Sequence, residues 1–557
     1  MKKITKRAYL CLMAAFSAVY LVWRICWTLP LDHRPIDIVF AFVLLITELI
    51  GMWEMAVHYY LEGCRTSCPP VPEISEEKMP DVDVFVTTCG EPTELLRNTL
   101  SGCCEMEYSG NVIIYLCDDK DRKEMRELAK ELGVKYISRK EAKFAKAGNL
   151  NNALKQSNSP LIAVFDSDMR PEPQFLLNTV PYFLEKTGRH RRYHLSNKIG
   201  FVQTPQNFRN DDLFQRAFCA ADIIPNEQDY FYLELEPARN NCNAVIFGGS
   251  NTLLSRKALE STGGFITGTI TEDFATGIEI QKKGYQCIAI DTPLASGLAP
   301  ESLSDLIRQR NRWSRGCIQA GFKTNLLFTP QLTAAQRMSY LAAVTYWYAP
   351  LKKLVYLFAP LMYSVFGITV MRCDFCQMLM FWLPMYLLAS FGIRLFSNGI
   401  RSAWWSNIYE LCLFPFLLPG VLAESFGIRK KSFNVTDKSG RKGWKFWYAL
   451  PFAVLTVLSV YGIINAITKI LSEHTTIYLF LLFWLFFNLY QLIYVLVFVF
   501  SCRKLTNQLQ RQFRLHRLSD KFGLRMTLLH ILLRISKNQK KEEFLCNNCL
   551  KAYCPPV

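Results

Sequence analysis

Apolar runs long enough to cross a bilayer, two before and four after a polar block, constrain this chain more than any other feature. A helix needs about 20 mainly apolar residues to span a hydrocarbon core. Residues 8–29, 36–60, 344–370, 378–395, 446–467 and 477–500 meet that length. Arg24, Glu48, Lys352 and Lys353 fall inside them. Arg24 lies near the far end of its run, where a long side chain can snorkel to the interface. Glu48 falls at mid-membrane, where a charge costs about 2.5–3.5 kcal/mol on insertion scales, so it is expected to face protein or water. A seventh stretch, 402–424, holds Trp404-Trp405, Glu410, Pro415, Pro419 and Glu424. It suits an interfacial or re-entrant piece better than a clean span.

Half of the 557 residues are apolar and 20% are charged, which fits hydrophobic blocks beside a polar domain. The net charge of +17 admits nucleic acid, an anionic membrane face or a phosphorylated substrate. The basic residues cluster beside the apolar blocks, which favours the membrane face, and no nucleic acid is expected. Six spans put Arg429-Lys430-Lys431, Arg441-Lys442 and Arg503-Lys504 on the side of the N-terminus and the polar block. By the positive-inside rule that side is the cytoplasm. The first apolar run lacks a cleavage pattern and is expected to be retained. The absence of an internal repeat disfavours an inverted-repeat transporter. The 19 cysteines are expected to be reduced, and the Cys64/Cys68 and Cys546/Cys549 groups fall short of a zinc ligand set. The expected division is 1–62 as two N-terminal helices, 63–80 as linker, 81–325 as the cytosolic domain, 326–501 as interface helices and four spans with a loop at 425–445, and 502–557 as a basic tail.

Within 81–325 short β-branched runs alternate with helical stretches. Val82-Asp83-Val84-Phe85-Val86, Val112-Ile113-Ile114-Tyr115-Leu116, Val134-Lys135-Tyr136-Ile137 and Leu161-Ile162-Ala163-Val164-Phe165 read as strands. The rhythm argues an α/β domain with a mostly parallel sheet, whose ligands bind at the carboxyl ends of the strands. Asp118-Asp119 and Asp166-Ser167-Asp168 both follow such strands. The second is a DxD able to hold a divalent cation on a diphosphate, and is equally a plain turn. Asp118-Asp119 suits a nucleobase or ribose contact. Lys146-Ala147-Gly148-Asn149 sets a cation beside a flexible glycine, as phosphate contact or as a solvated turn. Phe247-Gly248-Gly249-Ser250 lets backbone approach a ligand, or is a tight turn. Thr271-Glu272-Asp273 offers a general base, or is a helix start with acids in its first turn. Gln309-Arg310-Asn311-Arg312-Trp313 offers a cation for a leaving group and a ring on which a sugar stacks.

In this order these pieces, with Gln203-Thr204-Pro205-Gln206 and Phe433-Asn434-Val435-Thr436-Asp437-Lys438, resemble the processive family 2 glycosyltransferases, above all bacterial cellulose synthase catalytic subunits. The resemblance runs from about 81 to 438. It implies a GT-A-type α/β domain inserted between transmembrane helices, an inverting transfer from a UDP-sugar, and Mg²⁺ or Mn²⁺ as cofactor. It implies Asp273 as the catalytic base and Asp166 and Asp168 as metal ligands. Donor contacts fall to Thr87, Glu91, Asp118, Lys146, Asp166, Gln309 and Arg312, with Phe433 and Thr436 on a gating loop that closes over the donor. Gly249, Ser250, Glu272 and Trp313 fall on the acceptor side. The partners implied are UDP-glucose, a growing polysaccharide and the lipid bilayer, with accessory subunits or a homo-oligomer left open.

Three departures bear on this. Cys89 stands where the family often has tyrosine, and Gly248 where cellulose synthases usually carry cysteine, which touches acceptor placement and linkage. The tail shows no cyclic-di-GMP-binding barrel with its RxxxR opening, which Arg503, Arg511 and Arg514 do not supply. The expected function is a β-glucan synthase making cellulose or a mixed-linkage β-1,3/1,4-glucan and extruding it across the plasma membrane. The alternatives are a synthase using UDP-N-acetylglucosamine and a non-catalytic nucleotide-gated channel.

Overall fold

The structure is a computed structural model and describes residues 3–64, 68–73, 79–139, 142–187, 192–428, 445–473 and 477–522. Its polar domain is built on a seven-stranded sheet of β1 (Val82–Thr88), β2 (Val112–Asp118), β3 (Lys135–Ser138), β4 (Leu161–Asp166), β5 (Ile199–Gln203), β6 (Thr252–Ser255) and β7 (Gln286–Ala289). The spatial order is β7-β5-β6-β4-β1-β2-β3. Only β6 runs antiparallel to its neighbours. Every residue of β1 is buried, as a parallel strand covered on both faces requires. Val82, Val84 and Val86 feed one apolar layer and Phe85 the other. Asp83 is tolerated in that strand because Arg256 (2.9 Å) and the Ser159 hydroxyl and amide (2.8 Å each) take its charge.

The chain leaves β1 in one direction to β2 and β3, then returns on the other side as β4. The strand order therefore reverses between β1 and β4, which opens a crevice at their carboxyl ends. There Thr87 pairs with Asp166 and Thr88 with Asp118. The chain's longer helices begin with α1 (Lys3–Cys26), α2 (Pro35–Cys64), α3 (Thr93–Cys104), α4 (Ala145–Lys155), α5 (Glu272–Lys282), α6 (Leu303–Lys323) and α7 (Ala334–Tyr346). They are followed by α8 (Ala349–Phe366), α9 (Leu383–Phe396), α10 (Ala403–Ser425), α11 (Leu450–Glu473) and α12 (Ile477–Phe522).

Among the described residues six helices are long and apolar enough to cross a membrane, at Lys6–Cys26, Pro35–Gly63, Phe375–Phe396, Ala403–Ser425, Leu450–Ser472 and Tyr478–Leu505. This set differs from the expectation in one member. The run 344–370 is broken at Trp347 between α7 and α8, and Lys352 and Lys353 lower the hydropathy of α8. Both lysines are spent inside the bundle, on Glu54 and Glu410. The stretch 402–424 forms one continuous helix, α10, despite Pro415 and Pro419. It packs against α6 at one end and against the apolar helices along its length.

Candidate active site

At the crevice, Asp118 is fully buried and its carboxylate is saturated. It accepts from the Arg122 amide (2.8 Å), the Arg122 guanidinium (3.1 Å) and the Tyr136 hydroxyl (3.2 Å). Arg122 reaches on to the Thr88 hydroxyl (2.8 Å) and the Glu91 carbonyl (2.7 Å). Glu91 closes the turn after β1 by accepting from the Thr88 hydroxyl and the Cys89 amide, both at 2.7 Å. Thr87 lies buried at the end of β1 beside Asp166. Asp118, Thr88 and Glu91 are thus tied into one network by Arg122, a residue that sequence reasoning passed over. Its only signal is a position four residues after Asp118. Asp119 points elsewhere and is paired with Arg139 (2.5 Å).

Lys146, in the first turn of α4, is ion-paired with Asp166 and donates to the Gly249 carbonyl (2.6 Å). The Ser250 hydroxyl accepts from the Asp166 amide (2.9 Å). Lys146 therefore fastens the end of β4 to the Phe247–Ser250 turn across the sheet. Gly249 has φ +81°, and a Cβ there would lie 2.4 Å from the Asp273 carboxylate. Only glycine allows that turn and Asp273 to approach so closely. Gly248 makes a second close approach, since a Cβ on it would lie 3.1 Å from the Tyr232 hydroxyl.

Glu272 and Asp273 open α5, where helix N-terminal polarity favours carboxylates. Both are half-buried. Loss of hydration, then the charge of Asp273, push the Glu272 carboxyl up against the pull of Lys146 and Arg312. Loss of hydration likewise raises Asp273, opposed by Lys146, the Phe274 amide and Arg312. The same carboxylates, led by Asp166, more than offset burial at Lys146 and raise its ammonium above the ordinary lysine value. Acids and cation are thus tuned by one another across about 130 residues of sequence.

The downstream motif arrives on α6. Gly316 brings that helix onto the start of α5: a Cβ there would lie 2.4 Å from the Thr271 side chain and 2.9 Å from its amide nitrogen. The Gln319 side chain accepts from the Ile270 amide (2.9 Å) on the next turn. Arg312 and Trp313, one turn earlier, are half-buried, and the Arg312 charge is felt at both Glu272 and Asp273. The Gln309 side-chain oxygen is buried without a hydrogen-bond partner among the described residues. Thr87, Glu91, Asp118, Lys146, Asp166, Gly249, Ser250, Glu272, Asp273 and Arg312 are thereby linked along one edge of the sheet. Asp168 lies buried two residues past the end of β4, and Gln309 and Trp313 flank Arg312 on α6. Phe433 and Thr436 lie outside the described residues.

Asp166 and Asp168 present oxygen ligands only. Mg²⁺ and Mn²⁺ suit such a site, because small hard cations take one or two carboxylates and complete their shell with substrate phosphates and water. Among the described residues no group of three or more His, Cys, Asp or Glu is placed to hold a metal ion. The pair fits an ion that arrives with a diphosphate.

Residues 80–316 match the family described as Glycosyltransferase like family 2, and residues 244–520 match the family described as Cellulose synthase. The UDP-forming cellulose synthase catalytic subunit of Pseudomonas fluorescens (strain SBW25) is 31% identical over 472 residues, covering 83% of this chain and 62% of its own length. That of Xanthomonas axonopodis pv. citri (strain 306) is 32% identical over 485 residues, covering 85% of this chain and 65% of its own. The chain thus spans a little under two thirds of the length of these relatives. Among solved structures, the mannosyltransferase PcManGT from Pyrobaculum calidifontis, in complex with GDP-Man and Mn²⁺, superposes with a TM-score of 0.47 at 15% identity, covering 71% of this chain and 100% of its own. With a glycosyltransferase region running directly into a cellulose-synthase region between residues 80 and 520, the chain belongs to the family 2 glycosyltransferases of the cellulose-synthase type.

Proposed function

We propose that this protein is a processive, inverting β-glucan synthase. It transfers glucose from UDP-glucose to the end of a growing chain and passes the product through its helix bundle. The observation that carries this reading is the meeting of Asp273, the Lys146–Asp166 pair and the Arg312-Trp313 turn at one strand-end crevice. One-step inversion needs one base and a stabilised leaving group. The Asp273 carboxylate takes the acceptor hydroxyl proton. The freed oxygen attacks the anomeric carbon, the bond to the diphosphate breaks, and UDP departs with the electron pair. Lys146 and Arg312 are the cations that face the charge developing on the diphosphate. Asp166 and Asp168 would hold Mg²⁺ or Mn²⁺, which when bound adds positive charge beside the same phosphates. Trp313 offers the flat face on which the terminal sugar stacks, and Gly249 and Ser250 line its other side.

Charged groups inside the bundle support a passage. Lys352, Glu54, Lys353 and Glu410 are each between 15% and 23% exposed. Tyr346 is 42% exposed, and the charges of Glu227, Glu410, Arg310 and Arg401 are felt at its hydroxyl. Charges at membrane depth do not face lipid, so this exposure is to a polar interior. The reading places the protein in the plasma membrane with the catalytic domain in the cytosol, where nucleotide sugars are.

Purified full-length protein, offered single radiolabelled UDP-sugars with Mg²⁺ or Mn²⁺, tests the proposal. Label from UDP-glucose in insoluble polymer is the expected result, and linkage-specific glucanases then assign the bond. Label only from UDP-N-acetylglucosamine would move the protein to the amino-sugar synthases. UDP release from no donor would leave a nucleotide-binding channel.

A further inference from the structure

The cation next to the aromatic platform is not the one that faces the leaving group. Arg310 lies one helical turn before Trp313 on α6, so the two share a face. Its guanidinium carbon is 4.3 Å from the centroid of the Trp313 ring. The Arg310 side chain is 5% exposed and is ion-paired with Glu227, itself 15% exposed. The Arg310 Nε donates to no acceptor among the described residues.

Glu227 is held in turn. Its amide donates to Asp212 (3.0 Å), whose other carboxylate oxygen caps the helix Leu213–Phe218 through the amides of Phe214 (2.8 Å) and Gln215 (2.9 Å). The Gln215 amide group donates to the Ile224 carbonyl (2.9 Å), which closes 212–227 into a compact strap. That strap is seated on the helix bundle. The Tyr409 hydroxyl of α10 donates to the Pro225 carbonyl (3.0 Å), and Phe214 stacks on Phe498 of α12 at 4.5 Å and 14°.

We propose that Glu227 and Arg310 are a positioning pair for the acceptor. Glu227 holds the Arg310 guanidinium flat against one face of the Trp313 indole, so that the opposite face is fixed for the terminal sugar. Through the 212–227 strap, the platform is set in register with α10 and α12. An arginine suits this task because its planar group stacks and keeps a forked ion pair together, whereas a lysine ammonium does only the second. The inference rests on the acceptor role proposed for Trp313. It adds that the plane of the ring is controlled from the bundle side, and that this control sets how long the growing chain stays in register between additions.

The test uses the full-length protein in lipid nanodiscs with UDP-glucose and Mg²⁺. UDP release, label in polymer and product length are measured on the same sample. Arg310→Lys keeps the charge opposite Glu227 and loses the flat stack. It is expected to leave the KM for UDP-glucose within roughly twofold, shorten the product about tenfold and raise UDP released per glucose incorporated, because a misplaced acceptor loses to water. Glu227→Gln is expected to move all three readouts the same way, and Glu227→Asp to restore most of the length. Wild-type length and ratio in Arg310→Lys would overturn the inference. So would a parallel fall of UDP release and polymer at unchanged length, which assigns the pair to fold support. A wild type that makes no polymer from UDP-glucose is a separate result and removes the synthase reading itself.

Discussion

Asp273 lies against Gly249 and shares its surroundings with Glu272, Lys146 and Arg312, and that crowding sets its chemistry. Asp273→Asn keeps the shape and removes the base. Turnover is expected to fall about 100- to 10,000-fold, with UDP affinity by calorimetry unchanged. Because burial raises both carboxyls of the pair, the acid limb of the pH–rate profile should lie above the ordinary carboxylate range. The sign for stability runs the other way from the usual salt-bridged acid. A raised folded pKa means that the folded state holds extra protons. The stability this confers is complete below the unfolded carboxylate range and is lost as pH rises through the folded values. Removing one of the two charges with Asp273→Asn is therefore expected to raise Tm at neutral pH while turnover collapses, and a scan of both proteins at acid and neutral pH checks it.

Four of the seven strands, β1 to β4, were legible as short β-branched runs, and the acids that end β2 and β4 follow from that reading, whereas β5, β6 and β7 were not read as strands. The meeting of α5 and α6 was not legible. It depends on Gly316 lying against Thr271, a contact across 45 positions that no local pattern announces. Tyr232, whose hydroxyl closes on Gly248, comes from a π-helical turn at Tyr230–Leu235 that has no sequence signature either. Gly316→Val tests the contact, since the Thr271 backbone cannot yield to a side chain. The expected cost is about 1–3 kcal/mol of overpacking, seen as a lowered Tm. Turnover should drop on the order of 100-fold as Arg312 and Trp313 are displaced. A variant with normal activity would mean that α6 does not need this seat.

Across the whole molecule, the catalytic domain and the bundle are joined through α6 and α10. Arg315 donates to Glu424 at 2.9 Å with both side chains nearly buried, and a Cβ on Gly420 would lie 2.2 Å from the Asn311 side chain. Glu424→Ala strands a buried guanidinium and is expected to cost about 3–5 kcal/mol by thermal unfolding in detergent. A value near zero would show the two halves to be independent. Length and charge made the apolar blocks legible at this scale, but not the role of α8. Lys352 and Lys353 were legible only as charges inside an apolar run, and no spacing paired them with Glu54 and Glu410, which sit on two other helices. The central claim is that strand-end acids and a distant arginine–tryptophan turn act on one nucleotide sugar. Its most direct measurement is incorporation of radiolabelled glucose from UDP-glucose by the wild type and by Asp273→Asn, side by side, with UDP binding measured on both. The account predicts polymer from the wild type, none from the variant and equal UDP affinity. Polymer from Asp273→Asn at the wild-type rate would contradict it.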